Sequence, residues 1–248
     1  MPQRLEGADM ATIKGVLFDK DGTLIDFTAT WREAVEKIAN HLAECDVTLT
    51  TTLCDAVGYD IRTKVFLPGS PVVAGSVDMV AELMASILPK WSAAEIEDLA
   101  NRTALEMGAD DLAPVARLRE TLVALREMGF SLGVATHDAE ATAHANIKML
   151  GVDDLFDFVA GYDSGHGHKP GPGMPNAFAK AISADPSETV MVGDSVHDLG
   201  AGRAAGCALS VGVLTGPATE AELAPEGDIV LPSIADLPDV LAQRQKGS

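Results

Sequence analysis

An α/β fold is predicted, with a parallel sheet covered by helices on both faces and a helical insertion breaking into it. Three observations carry this reading. Short apolar, β-compatible runs end in polar or Gly-rich residues, helical stretches alternate with them from residue 115 onward, and residues 27–109 read as helices with no comparable strand. Regular strand–helix alternation gives a parallel sheet buried on both faces. A strandless stretch of this length is far too long for an ordinary crossover and is expected to be a separate insertion.

The first strand is IKGVLFD at 13–19, an apolar run that leads into Asp-Lys-Asp-Gly and so into a turn. Four helices follow it: FTATWREAVEKIANHLAEC (27–45), TTTLCDAVGYDI (50–61), SVDMVAELMASILP (76–89) and SAAEIEDLANRTALEMG (92–108). Ser92 and Glu95 have the spacing of a capping box. The remaining strands are SLGVATHD (131–138), FDFVAGYD (156–163), TVMVGDS (189–195), ALSVGVLTG (208–216) and the weaker DIVLPS (228–233). Between them lie helical stretches at 115–129, 139–151, 175–183 and 196–206, three of which end at glycine, a common stop signal. The chain thus divides into a Rossmann-like core, residues 11–26 and 110–240, and a helical cap, residues 27–109.

Composition narrows the function. The chain has 18 Lys and Arg against 37 Asp and Glu, a formal charge of −19, and its field repels polyanions, so a nucleic-acid partner is not expected. Only 4% of the residues are aromatic, which argues against stacking platforms for bases or sugars. Cys45, Cys54 and Cys207 are an odd number without CxxC spacing; this disfavours a disulfide framework or a zinc site and suits a reducing cytoplasm. No apolar run approaches the ~20 residues that span a bilayer. The start, MPQRLEGADM, is expected to be a polar tail without a secretory signal, with Met10 a possible second start.

Polar side chains follow the strands in a telling order: Asp19 and Asp21, then Thr136, then Lys169, then Asp194 and Asp198. In parallel sheets ligands bind at the carboxyl ends of the strands, so all would converge on one rim. Singly, each has an ordinary structural reading. Asp-Gly after a strand is usually a turn, Thr136 suits a helix N-cap, Lys169 a solvated loop, and Gly-Asp-Ser at 193–195 the opening of a helix.

Together, FDKDGTL (18–24), Thr136 in VATHD, Lys169 in HKPGPG and GDSVHDL (193–199) resemble the four motifs of the haloacid dehalogenase-like superfamily, over residues 13 to about 235. The large helical insertion directly after the first motif resembles the cap of its phosphoglycolate phosphatase and β-phosphoglucomutase branch. The resemblance implies an Mg²⁺-dependent phosphatase in which Asp19 is phosphorylated and Asp21 is general acid and then base. It also implies a metal held by Asp19, the backbone carbonyl of Asp21 and Asp194, with Asp198 behind them. Thr136 and Lys169 would bind the transferring phosphoryl group, with backbone amides near Gly22 and His137 completing the cradle. Asp21 itself marks phosphoryl transfer rather than dehalogenation.

The substrate is expected to be a small phosphorylated metabolite, with 2-phosphoglycolate favoured because TLID (23–26) and the stretch 163–178 look like that phosphatase. A phosphomutase and a non-catalytic binding module of the same fold are the alternatives; oligomeric state is left open. Lys20, between the two aspartates, departs from the usual apolar or small residue and is expected to point away from the nucleophile. Arg32, Arg62 and Lys64 are the cap cations able in principle to meet a substrate carboxylate, though each reads first as a surface charge. Trp31 and Trp91 read as packing residues. His137, His166 and His168 invite a metal pair but read as loop or substrate-adjacent histidines, with Asp163 bracing the loop.

Overall fold

In the computed structural model, residues 13–67 and 69–246 are described. The core is a six-stranded sheet of β1 (Gly15–Phe18), β4 (Ser131–Ala135), β5 (Phe158–Ala160), β6 (Thr189–Gly193), β7 (Leu209–Val213) and β8 (Ile229–Leu231). Its order is β5-β4-β1-β6-β7-β8 and every pairing is parallel. β1 lies in the middle because the chain builds outward through β4 and β5, then returns to β6 and builds the other way. The reversal falls beside β1, where such sheets open their crevice.

Both faces of the sheet are buried, which explains why its strands read as continuous apolar runs. Val16, Phe18, Leu132, Val134, Val190, Val192 and Val211 join Leu122 of α6 (Leu118–Glu127) in one cluster. Leu17, Ala135 and Met191 face the other way and pack on Phe178 of α8 (Gly173–Ala181). α7 (Glu140–Met149) and α9 (Val196–Ala205) complete the helical layers that sequence periodicity placed. The N-terminal tail expectation, with Met10, and residues 11 and 12 of the core lie outside the described residues.

The inserted helices build their own interior. Phe27 and Val35 of α1 (Phe27–Leu42), Leu53 of α2 (Val47–Ala56), Met84 of α4 (Val77–Ile87) and Ile96 of α5 (Ala93–Leu105) form one cluster, joined by Tyr59 and Phe66. The expected helix over 50–61 stops early, at Ala56. Beyond it a small antiparallel hairpin pairs β2 (Tyr59–Asp60) with β3 (Val65–Phe66), and the four-residue α3 (Pro71–Ala74) follows. Gly58, at φ +72°, turns the chain out of the helix. Two-residue strands are too short to show alternation, so no sequence pattern announces them.

Local capping fits the sequence. Asp26 opens α1 by accepting from the Ala29 amide at 2.8 Å. The capping box of α5 is present: Ser92 N donates to Glu95 Oε2 at 2.9 Å and Glu95 N to Ser92 Oγ at 3.3 Å. Ser92→Ala is therefore expected to cost about 1 kcal/mol, lowering Tm by about 2–4 °C for a chain of this size, as thermal unfolding would read.

Where the chain leaves the core and where it returns, the two crossings pair with each other. Asp26 N donates to Ala113 O at 2.7 Å, Val115 N to Leu24 O at 3.0 Å, and Ala113 N to Thr30 Oγ1 at 3.2 Å.

Candidate active site

Register brings the motif residues together. Phe18 pairs with Val134 and with Val192, so Asp19, Thr136 and Asp194 emerge at nearly one level from the carboxyl ends of β1, β4 and β6. Asp19 is tied to the sheet by its amide, which donates to Val192 O at 2.8 Å. Lys169 comes from the loop before α8, and Asp198 from the first turn of α9, where it closes a capping box with Ser195. Asp19, Asp21, Thr136, His137, Lys169, Asp194 and Asp198 all line one small cleft.

The cleft is an acidic cluster held around one ammonium. Carboxylate oxygens of Asp19, Asp194 and Asp198 lie within 4.8 Å of one another and all three residues are buried. Lys169 Nζ sits 2.5 Å from Asp19 Oδ1 and 2.6 Å from Asp198 Oδ1, and donates to Ala135 O at 2.9 Å. Three carboxylates share one cation, so with all three ionised two negative charges remain uncompensated. Burial pushes the Asp19 carboxyl up to about 7, with Lys169 opposing it, and drives Asp194 well above the usual carboxylate range. Asp198 is instead held low: Lys169 and the Ser195 hydroxyl outweigh its desolvation.

Gly22 is not on the cleft wall but beneath Asp194. Its φ is +83°, and a Cβ there would lie 2.2 Å from Asp194 Oδ2; one on Gly216 would lie 1.7 Å from the same oxygen. Glycine is therefore required at both positions to admit the carboxylate. Thr136 is buried and its Oγ1 accepts from the Asp138 amide at 3.1 Å. His137 Nε2 accepts from the Lys169 amide at 3.2 Å, and burial drives its pKa down to about 3. It braces the lysine loop as a neutral ring. His166 and His168 are not part of the acidic cluster; His168 Nε2 stands 3.5 Å from Asp78 of the cap. Asp163 accepts from the Glu140 amide at 2.8 Å and so caps α7.

Three residues go beyond the sequence reading. Lys20 does point away from Asp19, but it is buried and its Nζ is 2.6 Å from Asp21 Oδ2 and 2.9 Å from Asp138 Oδ2. Trp31 packs on the cap cluster as expected, and in addition its Nε1 donates to Asp21 Oδ1. Lys20 also lies 5.2 Å from the centre of the Trp31 ring. Asp21 is thus gripped at both oxygens, by the core through Lys20 and by the cap through Trp31. Asp138 is distant from Lys20 in sequence and no local pattern joins them; the lysine between two aspartates was the one visible signal.

The cap cations do not approach the cleft. Arg62 is 85% exposed beside Asp60, Lys64 is exposed beside Glu36, and Arg32 lines a separate cavity with Lys37, Glu106 and Asp110.

Residues 13–206 match the sequence profile described as "haloacid dehalogenase-like hydrolase". A phosphoglycolate phosphatase of Vibrio vulnificus is 31% identical over 232 residues, 92% of this chain and 96% of its own length. The pyrophosphatase PpaX of Halalkalibacterium halodurans is 32% identical over 135 residues, 54% of this chain and 62% of its own length; the PpaX relatives are thus matched over less than two thirds of their length. Among solved structures, a haloacid dehalogenase-like hydrolase from Bacteroides fragilis superposes with a TM-score of 0.72 at 20% identity, covering 91% of this chain and 99% of the other. A β-phosphoglucomutase from Clostridium difficile does so at 0.67 and 22%, covering 95% and 98%. These two share the fold. With the motif residues gathered on one rim and the profile matched over most of the chain, the protein belongs to the haloacid dehalogenase-like hydrolase family.

Proposed function

We propose that the protein is a divalent-metal-dependent phosphatase of small phosphomonoesters, with Asp19 as its nucleophile and residues 27–109 as a cap over the site. The observation that carries it is the buried group of Asp19, Asp194 and Asp198 around Lys169 at the strand ends.

The acidic cluster suits a hard cation. All its donors are oxygens, its charge exceeds what Lys169 neutralises, and desolvation holds Asp19 and Asp194 in a state that a cation would relieve. Asp19, the Asp21 carbonyl and Asp194 would hold Mg²⁺, which supplies charge neutralisation on the phosphoryl oxygens. Asp19 attacks phosphorus in line, the P–O bond to the alcohol breaks, and an aspartyl-phosphate forms. Lys169 and the Thr136 hydroxyl bind the phosphoryl oxygens. Asp21 gives a proton to the leaving oxygen, then takes one from the water that attacks phosphorus and frees Asp19. In the arrangement described, both Asp21 oxygens are engaged, so Trp31 must release Oδ1 before that oxygen serves the leaving group.

The expected result of a phosphate-release assay is turnover with Mg²⁺ that disappears with EDTA. The panel includes 2-phosphoglycolate, pyrophosphate and hexose 1-phosphates; the phosphoglycolate phosphatase relative supports the first of these. Group transfer to a hexose phosphate without phosphate release would instead favour a mutase. Mg²⁺ binding should also depend on pH. Asp19 must be deprotonated to bind, and its pKa is raised from 3.8 to about 7, so protons compete with the metal below that pH. Calorimetric titration should find Mg²⁺ affinity weakening as pH falls through ~7, by at least about tenfold per pH unit, since the raised Asp194 adds its own proton to the competition. The Cys45, Cys54 and Cys207 thiols are free, and among the described residues no helix is long and apolar enough to cross a membrane.

A further inference from the structure

Beside the acidic cleft, and sharing Phe27, Val72, Gly75, His137 and Asp138 with it, lies a second cavity of about 100 Å³. Its walls come from α1, α3, α4 and α5 of the insertion, and its surface is overwhelmingly apolar: Phe27, Trp31, Val72, Val77, Ala81 and Met84. Asn101 is one of its few polar groups, and its amide is already directed at the Tyr162 hydroxyl at 3.0 Å. Among the described residues the only Lys or Arg on the walls of either cavity is Lys169, whose ammonium is committed to Asp19 and Asp198.

A phosphomonoester whose phosphate sits at Asp19 projects its alcohol portion out of the cleft, toward the cap. A carboxylate placed against these walls would lose its hydration and meet no cation. A hydrocarbon would instead bury its surface. Apolar cavities of about 150 Å³ hold a benzene ring, so the smaller space here, about 100 Å³, suits a short alkyl chain.

We propose that the alcohol portion of the substrate is apolar and uncharged, a short alkyl group seated on the cap-lined cavity, rather than a carboxylate such as glycolate. This rests on the phosphatase reading above and names its substrate class. The contact that distinguishes substrates lies on the cap side, between Phe27, Trp31, Val72 and Val77.

The test is a series of unactivated alkyl phosphates (methyl, ethyl, propyl, butyl) with benzyl phosphate and 2-phosphoglycolate, assayed for phosphate with Mg²⁺. None of these has an activated aryl leaving group, so differences report chiefly on binding of the alcohol portion. The expected result is a kcat/KM that rises by about tenfold or more from methyl to butyl phosphate, with 2-phosphoglycolate below butyl phosphate. Ala100→Phe, which fills the cavity from a half-buried wall position, should erase the rise while leaving methyl phosphate turnover unchanged. As a readout apart from turnover, butylphosphonate should raise the Tm of the Mg²⁺-loaded protein more than phosphonoacetate does. Phosphate release that is independent of chain length, or fastest with 2-phosphoglycolate, overturns the inference and leaves the phosphatase standing. No release from any ester overturns both.

Discussion

Asp19→Asn is expected to lower kcat by at least ~10³-fold, a loss in the range seen when a nucleophile is removed, while leaving the fold in place. The amide fills the space of the carboxylate, and Lys169 keeps Asp198 as its partner at 2.6 Å. Removing one of three crowded anions also relieves repulsion, because Asp19 itself helps push Asp194 upward. Thermal unfolding without metal should therefore find the variant as stable as the parent or slightly more so. Steady-state phosphate release and borohydride trapping of the aspartyl-phosphate read the chemical half of the prediction. Full turnover by a well-folded Asp19→Asn protein would remove the nucleophile assignment.

Lys169→Met should damage both stability and activity. Lys169 is 3% exposed in its side chain, and its ammonium bridges Asp19 and Asp198 with Asp194 close by. Taking away one partner of a buried ion pair leaves charge that neither water nor protein compensates, at a cost of about 3 kcal/mol. For a chain of this length that corresponds to a Tm lower by about 6–12 °C. The sign of the pH dependence follows from the carboxyls. Lys169 lowers the Asp19 pKa to about 7, so without it Asp19 keeps its proton to higher pH; the gap between variant and parent is widest at high pH, narrows as pH falls toward about 7, and levels off below that value, where Asp19 is protonated in both. It does not close, because Asp198 has also lost the ammonium that offset its burial. Mg²⁺ should restore part of the lost Tm by supplying positive charge to the same cluster. A Tm gap that is flat between pH 7 and 9 and indifferent to Mg²⁺ would contradict this account.

The parts of the molecule that were legible in the sequence are those whose determinants are local. Each core strand is short, buried on both faces and stopped by a polar turn, so its apolar run is visible without knowing its neighbours. Parallel topology then sends every post-strand residue to one rim, which is why the sequence alone groups Asp19, Thr136 and Asp194. What escaped depends on contacts between distant segments. The grip of Lys20 on Asp138 and of Trp31 on Asp21 joins the turn after β1 to the turn after β4 and to the first helix of the insertion. Helical periodicity does place Trp31 on a half-buried face, but it cannot show that the indole nitrogen meets a carboxylate. The position of the cap cations was equally unreadable: Arg32, Arg62 and Lys64 sit on helix and hairpin surfaces whose orientation only the packing of Phe27, Tyr59 and Phe66 decides.

The paired crossing at residues 24–26 and 113–115 has a mechanical consequence. It is placed to act as a pivot, with α1 as the lever that leaves it. At 1.5 Å of rise per residue, a swing of about 10° about this point would carry the far end of α1, at Leu42, through about 4 Å but Trp31 through only about 1 Å. One ångström is enough to part an indole nitrogen from a carboxylate oxygen. Such a swing would turn a wide excursion at Leu42 into a fine adjustment at Asp21, freeing its oxygen for a proton.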